Sequence, residues 1–178
     1  MSLFFITGTA GTGKTTIKNE LVSRGYKALD TDADALSKWH NLKTGYVHPK
    51  SSVKSKDRTP EFLKDHRWKV PRKDIEELAA LAKNDDIFLC GVSYGEEEYI
   101  DLFDAVFALV IDDETLKYRL IHRTSGDWGK QPHELQQSLD RQQYLNSKYT
   151  EFNYQIIDAT QPLNAVIEQI LTKVQEPK

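Results

Sequence analysis

The chain has 178 residues, 39% of them apolar and 29% charged, with a net charge of −3. That length favours one domain with room for a substantial core, no apolar run approaches the roughly 18 residues of a membrane-spanning helix, and a single cysteine, Cys90, excludes an internal disulfide and a cysteine-rich zinc site. The N-terminus carries no charged region followed by an apolar core and a small-residue cleavage site, so the expectation is a cytoplasmic protein without a signal peptide.

The first apolar run, LFFIT (Leu3–Thr7), is nearly continuous, as in a strand buried on both faces. It leads into GTAGTGKT (Gly8–Thr15), a glycine, four residues, then Gly-Lys-Thr. Glycines let successive backbone N–H groups turn toward one anion, and a following helix adds its positive end. Lys14–Arg24 reads as that helix, stopped by Gly25. The pattern predicts a nucleoside-triphosphate cradle of Gly8, Thr9, Ala10, Gly11, Thr12, Gly13, Lys14, Thr15 and Thr16. Lys14 reaches the β- and γ-phosphates and the Thr15 hydroxyl binds Mg²⁺. The spacing does not fit the dinucleotide pattern G-x-G-x-x-G.

A second strand, YKALD (Tyr26–Asp30), runs into LDTDAD. Carboxylates at a strand end beside a phosphate cradle suit two tasks, accepting a hydroxyl proton and holding a Mg²⁺-bound water. The competing reading has Asp32 or Asp34 capping a helix that runs to Trp39. The next segment is long and broken by Gly45, Pro49 and Pro60, with one short helix expected at PEFLKDH. Between Lys43 and Lys73, ten Lys and Arg stand against three Asp and Glu, which is +7; the whole chain is −3, so the remainder carries −10. Such segregation suggests an anionic partner, against the plainer reading of a solvated surface loop. Trp39, Tyr46, Trp68 and Arg67 offer flat surfaces suited to stacking on a base.

PRKDIEELAALAK then has helical spacing behind Pro71. IFLCG (Ile87–Gly91) and AVFALVI (Ala105–Ile111) read as the third and fourth strands. DDETLKYRLIHR, with Asp112 or Asp113 as N-cap, places Arg119 and Arg123 on one helix face. Thr124–Gln131 is a glycine-containing loop, followed by a helix from Pro132, the strand YQIID (Tyr154–Asp158) and a last helix after Pro162. Strands alternating with helices imply a mainly parallel sheet covered on both faces, with its C-terminal strand ends forming one ligand-binding edge.

Taken together, these motifs resemble the small P-loop kinases of the nucleoside monophosphate, shikimate and gluconate kinase group, over nearly the whole length. The middle and lid segments also resemble nucleoside-kinase-like bacterial proteins. The resemblance implies an α/β, three-layer P-loop NTPase fold with a five-stranded parallel sheet in order 2-3-1-4-5 and helices on both faces. It implies a single domain over 1–178, with an acceptor-cap insertion at about 41–70 and a short lid at about 123–131. DTD is similar to the Asp-x-Asp of shikimate kinases, which implies Asp30 near the metal and Asp32 on the acceptor. IFLCGVS lacks the terminal Asp of an ordinary Walker B strand, which disfavours motor and switch ATPases. It is similar instead to the apolar-Thr-Gly-Gly-Gly strand of shikimate kinases, with Gly91 allowing close approach of substrate and Cys90 and Val92 as departures. Cys90 itself reads as a small buried hydrophobe.

By the same resemblance Arg119 lies near the adenine ring and Arg123 near the phosphates, while Thr160, Gln161 and Pro162 of DATQPL line the adenine. Arg58 with Glu61 mimics an Arg-x-x-Glu pattern of shikimate kinases, although Asp57 replaces its preceding Phe, which speaks against shikimate as substrate. Arg141 with Tyr144 resembles an acceptor-binding arginine after the lid, and Lys130 is a further candidate. The implied activity is an ATP-dependent phosphotransferase moving the γ-phosphoryl group of ATP-Mg²⁺ to a small acceptor: a nucleoside, nucleotide or anionic metabolite. Lys14, Asp32 and Arg123 are the expected catalytic groups, Thr15 and Asp30 the metal ligands. Asp32, Arg58, Arg67, Trp68, Gly91 and Arg141 are expected on the acceptor side. Two rival readings stand beside it, a polynucleotide 5′-hydroxyl kinase and a nucleotide-binding regulatory module without an acceptor. Expected partners are ATP and a small molecule, with nucleic acid less favoured and no membrane.

Overall fold

Five strands run parallel in one sheet: β1 (Leu3–Thr7), β2 (Lys27–Asp30), β5 (Ile87–Cys90), β6 (Ala105–Val110) and β7 (Gln155–Asp158), in the order β2-β5-β1-β6-β7. Counted within this sheet alone, that is the 2-3-1-4-5 order. The computed structural model describes residues 1–49, 51–124 and 126–175. Lys50 of the basic segment and Ser125 of the loop before Pro132 lie outside the described residues.

Each strand begins or ends within one residue of its apolar run. The reason is burial on both faces. β1 is central, pairing Phe4 with Phe88 of β5 on one side and with Ala105 of β6 on the other. Successive side chains of a strand point to opposite faces. Phe4 and Ile6 therefore join Ile17, Leu21, Phe88, Phe107, Ile167 and Ile170. Leu3 and Phe5 join Ile75, Leu78, Leu89, Val106 and Tyr149. The first face is covered by α1 (Lys14–Ser23), α4 (Asp113–His122) and α6 (Leu163–Gln175), the second by α3 (Arg72–Leu81) and α5 (Pro132–Glu151). Each fully buried Leu, Ile or Phe contributes about 1.5–3 kcal/mol, so the two faces carry most of the fold's stability. No helix among the described residues is long and apolar enough to cross a membrane.

The middle of the chain departs from the expectation. The helix running to Trp39 does not form. Asp30 Oδ1 accepts the backbone N–H groups of Asp32 and Ala33, at 2.9 and 3.1 Å, which winds the chain into a turn. Ala35 then sits at φ 65°, a left-handed position that ends helical propagation. After this turn, β3 (Lys38–Asn41) pairs antiparallel with β4 (His66–Lys69), with Trp39 opposite Trp68. The short helix at PEFLKDH is present as α2 (Pro60–Asp65), with Thr59 as its N-cap accepting from Phe62 N at 3.2 Å. The basic stretch is thus a folded β3-α2-β4 insertion. Several cations of the Lys43–Lys73 stretch have carboxylate partners: Lys43 pairs with Asp65, Lys69 with Glu98, and Arg72 with Glu76 and Asp101.

Candidate functional site

The parallel order brings the C-terminal ends of β1, β2 and β5 side by side, and the glycine-rich turn follows the first of them. Gly8 adopts φ 149°, and a Cβ there would stand 2.8 Å from both Leu109 O and Thr12 Oγ1. Gly13, at φ 101°, is the N-cap of α1, and nothing lies within 4 Å of where its Cβ would be. One glycine therefore fits a crowded turn and the other leaves the helix mouth open. α1 has no acidic residue in its first turn, so its positive end is not neutralised locally. The turn is braced from beneath. Thr12 Oγ1 donates to Thr9 O at 2.9 Å, and Thr9 Oγ1 donates to Gln142 Oε1 at 3.2 Å. Gln142 in turn donates to Asp113 Oδ1 at 2.7 Å, which ties the turn to α4 and α5.

Lys14 Nζ donates to Gly8 O and Thr9 O, both at 2.7 Å. Burial pushes its pKa down to about 8, with Asp32 and then Asp30 pulling the other way. Beside it, Thr15 Oγ1 donates to Asp30 Oδ2 at 2.9 Å. Asp30 is buried at the end of β2 with its other oxygen engaged by the turn, so these two residues present a pair of hard oxygen donors. That donor set suits Mg²⁺, which takes one or two protein oxygens and completes its shell with water and substrate phosphates.

Asp32 stands on the cleft wall, open to solvent yet crowded by protein. Burial raises its carboxyl above the ordinary range; the indole N–H of Trp68, donated to Oδ1 at 2.8 Å, and Lys14 oppose the rise. Gly91 has a different place from the one expected. A Cβ at Gly91 would lie 2.1 Å from Thr31 Oγ1, so the glycine makes room for the turn after β2. The space next to it is filled by Thr31, and Gly91 is not among the cleft-lining residues.

A single cleft of about 1500 Å³ joins these groups and extends two ways from the glycine-rich turn. One arm passes Tyr118, Arg119, His122, Gln161 and Leu163. Arg119 Nη2 donates to Ala159 O at 3.1 Å. Thr160 is turned onto Asp158 Oδ1 through both its N–H, at 2.9 Å, and its hydroxyl, at 2.6 Å. Neither Thr160 nor Pro162 lines the cleft, whereas Gln161 does.

The other arm is aromatic. Trp39 lies 5.3 Å from Trp68 and 6.2 Å from Trp128, ring centre to ring centre. Arg67 and Arg141 stand over Tyr94 at 5.0 and 5.6 Å. Arg67 also donates to the carbonyls of Leu63, Lys64 and His66 at the end of α2, and Arg141 donates to Ser93 O at 3.0 Å. Tyr46 does not join them; it is exposed and packs on His48.

Arg58 is 7% exposed and faces α5 rather than Glu61. Its Nε donates to Glu134 Oε1 at 2.7 Å, and Asp127 stands 3.2 Å from its Nη2. Glu134, wholly buried, also accepts Gly129 N at 2.9 Å. Two more bonds bridge the same interval, His133 Nε2 to Arg58 O at 2.8 Å and Gln131 Nε2 to Ser55 O at 2.8 Å. The insertion is therefore strapped to the start of α5 and to the loop before it. Within that loop Arg123 donates to Trp128 O, and Lys130 Nζ donates to Ile121 O at 2.7 Å and Arg123 O at 2.8 Å. Arg123 is half-buried, which lowers its pKa, while Asp127, Asp32 and Glu134 attract it.

Three lining or bracing residues escaped the sequence reading: Trp128, Glu134 and Glu96. Trp128 and Glu134 sit in segments that were noted, but nothing local marks a tryptophan as cleft wall or a glutamate as buried. Glu96 sits in SYGEEEYI, where three successive glutamates read as a solvated surface. It is 3% exposed, lines the cleft, and accepts Thr7 Oγ1 at 3.0 Å. Burial pushes its pKa up to about 7, with Arg141 and Thr7 opposing.

A family model described as an AAA domain matches residues 5–146. Solved structures with the same fold include a gluconokinase from Sinorhizobium meliloti 1021, at 19% identity and a TM-score of 0.57, over 96% of this chain and 90% of that one. A shikimate kinase from Bacteroides thetaiotaomicron superposes with a TM-score of 0.63 at 17% identity, over 98% and 99%. A deoxyadenosine kinase from M. mycoides with bound dATP does so at 0.55 and 18%, over 99% and 100%. At these identities the likeness is one of fold. No curated protein matches the chain.

Proposed function

The chain belongs to the AAA-domain family, and on that premise we propose that it is an ATP-dependent phosphotransferase that moves the γ-phosphoryl group of ATP-Mg²⁺ to the hydroxyl of a small acceptor. The acceptor is a nucleoside, nucleotide or anionic metabolite. The observation that carries this reading is that Lys14, Asp30, Asp32 and Arg123, from separate parts of the chain, line one cleft around the glycine-rich turn.

Each group has a task set by its surroundings. Lys14 exchanges the carbonyls of Gly8 and Thr9 for phosphate oxygens, a stronger partner for a desolvated ammonium. Thr15 and Asp30 would hold Mg²⁺, which when bound would neutralise charge on the phosphate oxygens. Asp32 receives the acceptor's hydroxyl proton while that oxygen forms its bond to the γ-phosphorus; the bond from phosphorus to the β,γ-bridging oxygen breaks and ADP leaves. A carboxyl held above its usual range is better suited to accept that proton. Arg123, on the loop between α4 and α5, supplies charge to the equatorial oxygens, since phosphoryl transfer rests on positioning and electrostatic stabilisation. The 41–70 insertion then acts as acceptor cap and the 123–131 loop as lid. A nucleic-acid acceptor is the weaker reading, because Lys43, Arg58, Lys69 and Arg72 have carboxylate partners of their own.

The test is ADP release with ATP-Mg²⁺ against a panel of nucleosides, nucleotides and sugar acids, with the product identified by mass. Acceptor-dependent ADP release with one phosphate added to the acceptor supports the reading. Stoichiometric ATP binding with no transfer to any member overturns it in favour of a regulatory nucleotide-binding module.

A further inference from the structure

Resting on the kinase reading above, we propose that the acceptor carries a flat heteroaromatic ring with hydrogen-bond donors, the chemistry of a nucleoside unit, and that Glu96 receives one of those donors; carboxylate sugar acids are excluded.

The ring follows from the walls of the acceptor arm. Trp39, Trp68, Trp128 and Tyr94 all line it, and they come from β3, the cap, the lid and the segment after β5. Trp68 is held by Asp32 itself at 2.8 Å, so the aromatic wall begins where the transferred phosphoryl group is received. A sugar acid has no aromatic ring to stack on such a wall, whereas stacking a base on an aromatic side chain is worth about 1–3 kcal/mol.

The donor follows from Glu96. Gly95, at φ 76°, turns the chain so that Glu96 points inward while Glu97 and Glu98 stay at the surface. Among the described residues Thr7 provides the side-chain hydrogen bond to Glu96, through Oε2, and no ion pair within 4 Å meets it. Burying a carboxyl is costly unless its oxygens are satisfied. This one is kept facing a cleft, with a hydrogen-bonding oxygen to spare. Arg141, held by Ser93 O and Tyr94, is the opposite charge that acts on it most strongly. An acceptor carboxylate approaching Arg141 would meet the Glu96 carboxyl in the same arm. A hydroxyl or ring amino group meets an acceptor oxygen instead.

The experiment uses the full-length wild type and Glu96→Gln, which keeps size and a hydrogen-bond acceptor but removes the acid. Cytidine, thymidine, adenosine and guanosine, and their 5′-monophosphates, form one arm; shikimate and gluconate form the other. Binding is read by quenching of tryptophan emission with a non-hydrolysable ATP analogue saturating, and transfer by product mass. The expected result is binding and phosphorylation of at least one nucleoside or nucleotide and of neither acid. Glu96→Gln should raise that acceptor's KM and dissociation constant tenfold or more, with kcat and the ATP KM within about twofold. Its Tm should not fall, because a buried acid has been removed. A lower Tm with unchanged acceptor affinity would assign Glu96 to holding Thr7 and overturn its proposed role. Quenching by a nucleoside that is weakened in Glu96→Gln, but without phosphoryl transfer, keeps this inference while removing the kinase reading. No quenching by any nucleoside or nucleotide, or transfer to either acid at a comparable rate, overturns the inference and leaves the kinase reading standing.

Discussion

The indole N–H of Trp68 donates to Asp32 Oδ1 at 2.8 Å, across 36 residues of sequence. It joins the second strand of the insertion to the acid after β2, so the wall of the acceptor arm and the proton acceptor are positioned together.

Two substitutions separate these partners. Trp68→Phe removes a hydrogen bond that holds the Asp32 carboxyl down, so the Asp32 pKa should rise further. The acidic limb of the kcat–pH profile then moves to higher pH. Asp32→Asn should cut turnover by two or more orders of magnitude, with ATP affinity within a few-fold. The stability sign is opposite to that of a salt-bridged acid. A carboxyl raised in the fold stabilises most below its unfolded pKa, and that contribution is lost as pH rises through the folded value. Asp32→Asn should therefore match or exceed the wild-type Tm at pH 7, with this gain gone under acidic conditions. Thermal melts across pH check it, and a Tm well below wild type at pH 7 argues against this account.

Lys14→Ala should lower turnover by about two orders of magnitude or more, the scale of losing one preorganised charge contact in phosphoryl transfer. Lys14 also carries a binding signature. With a pKa of about 8 it is about half-protonated at pH 8, and a triphosphate should complete the protonation. Calorimetry of ATP-analogue binding in buffers of different ionisation enthalpy should report uptake of about half a proton at pH 8 and much less at pH 6. Lys14→Met should abolish the uptake; its persistence would place the titrating group elsewhere.

Breaking the strap between cap and α5 should destabilise strongly. Arg58→Ala leaves Glu134, 0% exposed, without its cation, a loss of about 3–5 kcal/mol for a buried pair. Arg58→Met with Glu134→Gln should recover part of it, since no lone charge remains. Because Glu134 also accepts Gly129 N, the variants should raise the KM of both ATP and acceptor. A rise confined to the acceptor would mean that cap and lid act separately. Urea denaturation and two-substrate kinetics are the measurements.

At Gly91 a methyl group would stand 2.1 Å from Thr31 Oγ1 and 2.7 Å from Thr31 Cβ. Gly91→Ala should cost about 1–3 kcal/mol through overpacking. Thr31→Gly in the same chain should return part of the stability by vacating that space. A direct substrate contact at Gly91 would instead show as a changed acceptor KM without a change in melting.

The parts legible in the sequence are those governed by local rules. LFFIT and AVFALVI read as strands covered on both sides, because a short unbroken run of apolar, β-branched and aromatic residues has no face to leave in water. GTAGTGKT declares its turn because few residues other than glycine adopt the positive φ of Gly13. Pro132 and Asp112 mark helix starts through the missing N–H of one and the capping oxygen of the other. The number of strands in the parallel sheet follows from these runs, whereas their order is implied only by the resemblance to the small P-loop kinases.

What only the tertiary structure decided is which side chains meet across long stretches of chain. Arg58 matched a local Arg-x-x-Glu pattern with Glu61, but its partner is Glu134, 76 residues away. Glu96 is one of three adjacent glutamates that no local rule distinguishes, until Gly95 turns it toward Thr7. The four-residue strands β3 and β4 are too short and polar for a periodic signal; they form because Trp39 and Trp68 pack across the pair. The physical reason is common to all three. A strand or a glycine turn is dictated by a residue's own backbone and immediate burial, whereas a buried charge or an aromatic wall gains its free energy from partners brought near only when the whole chain has folded.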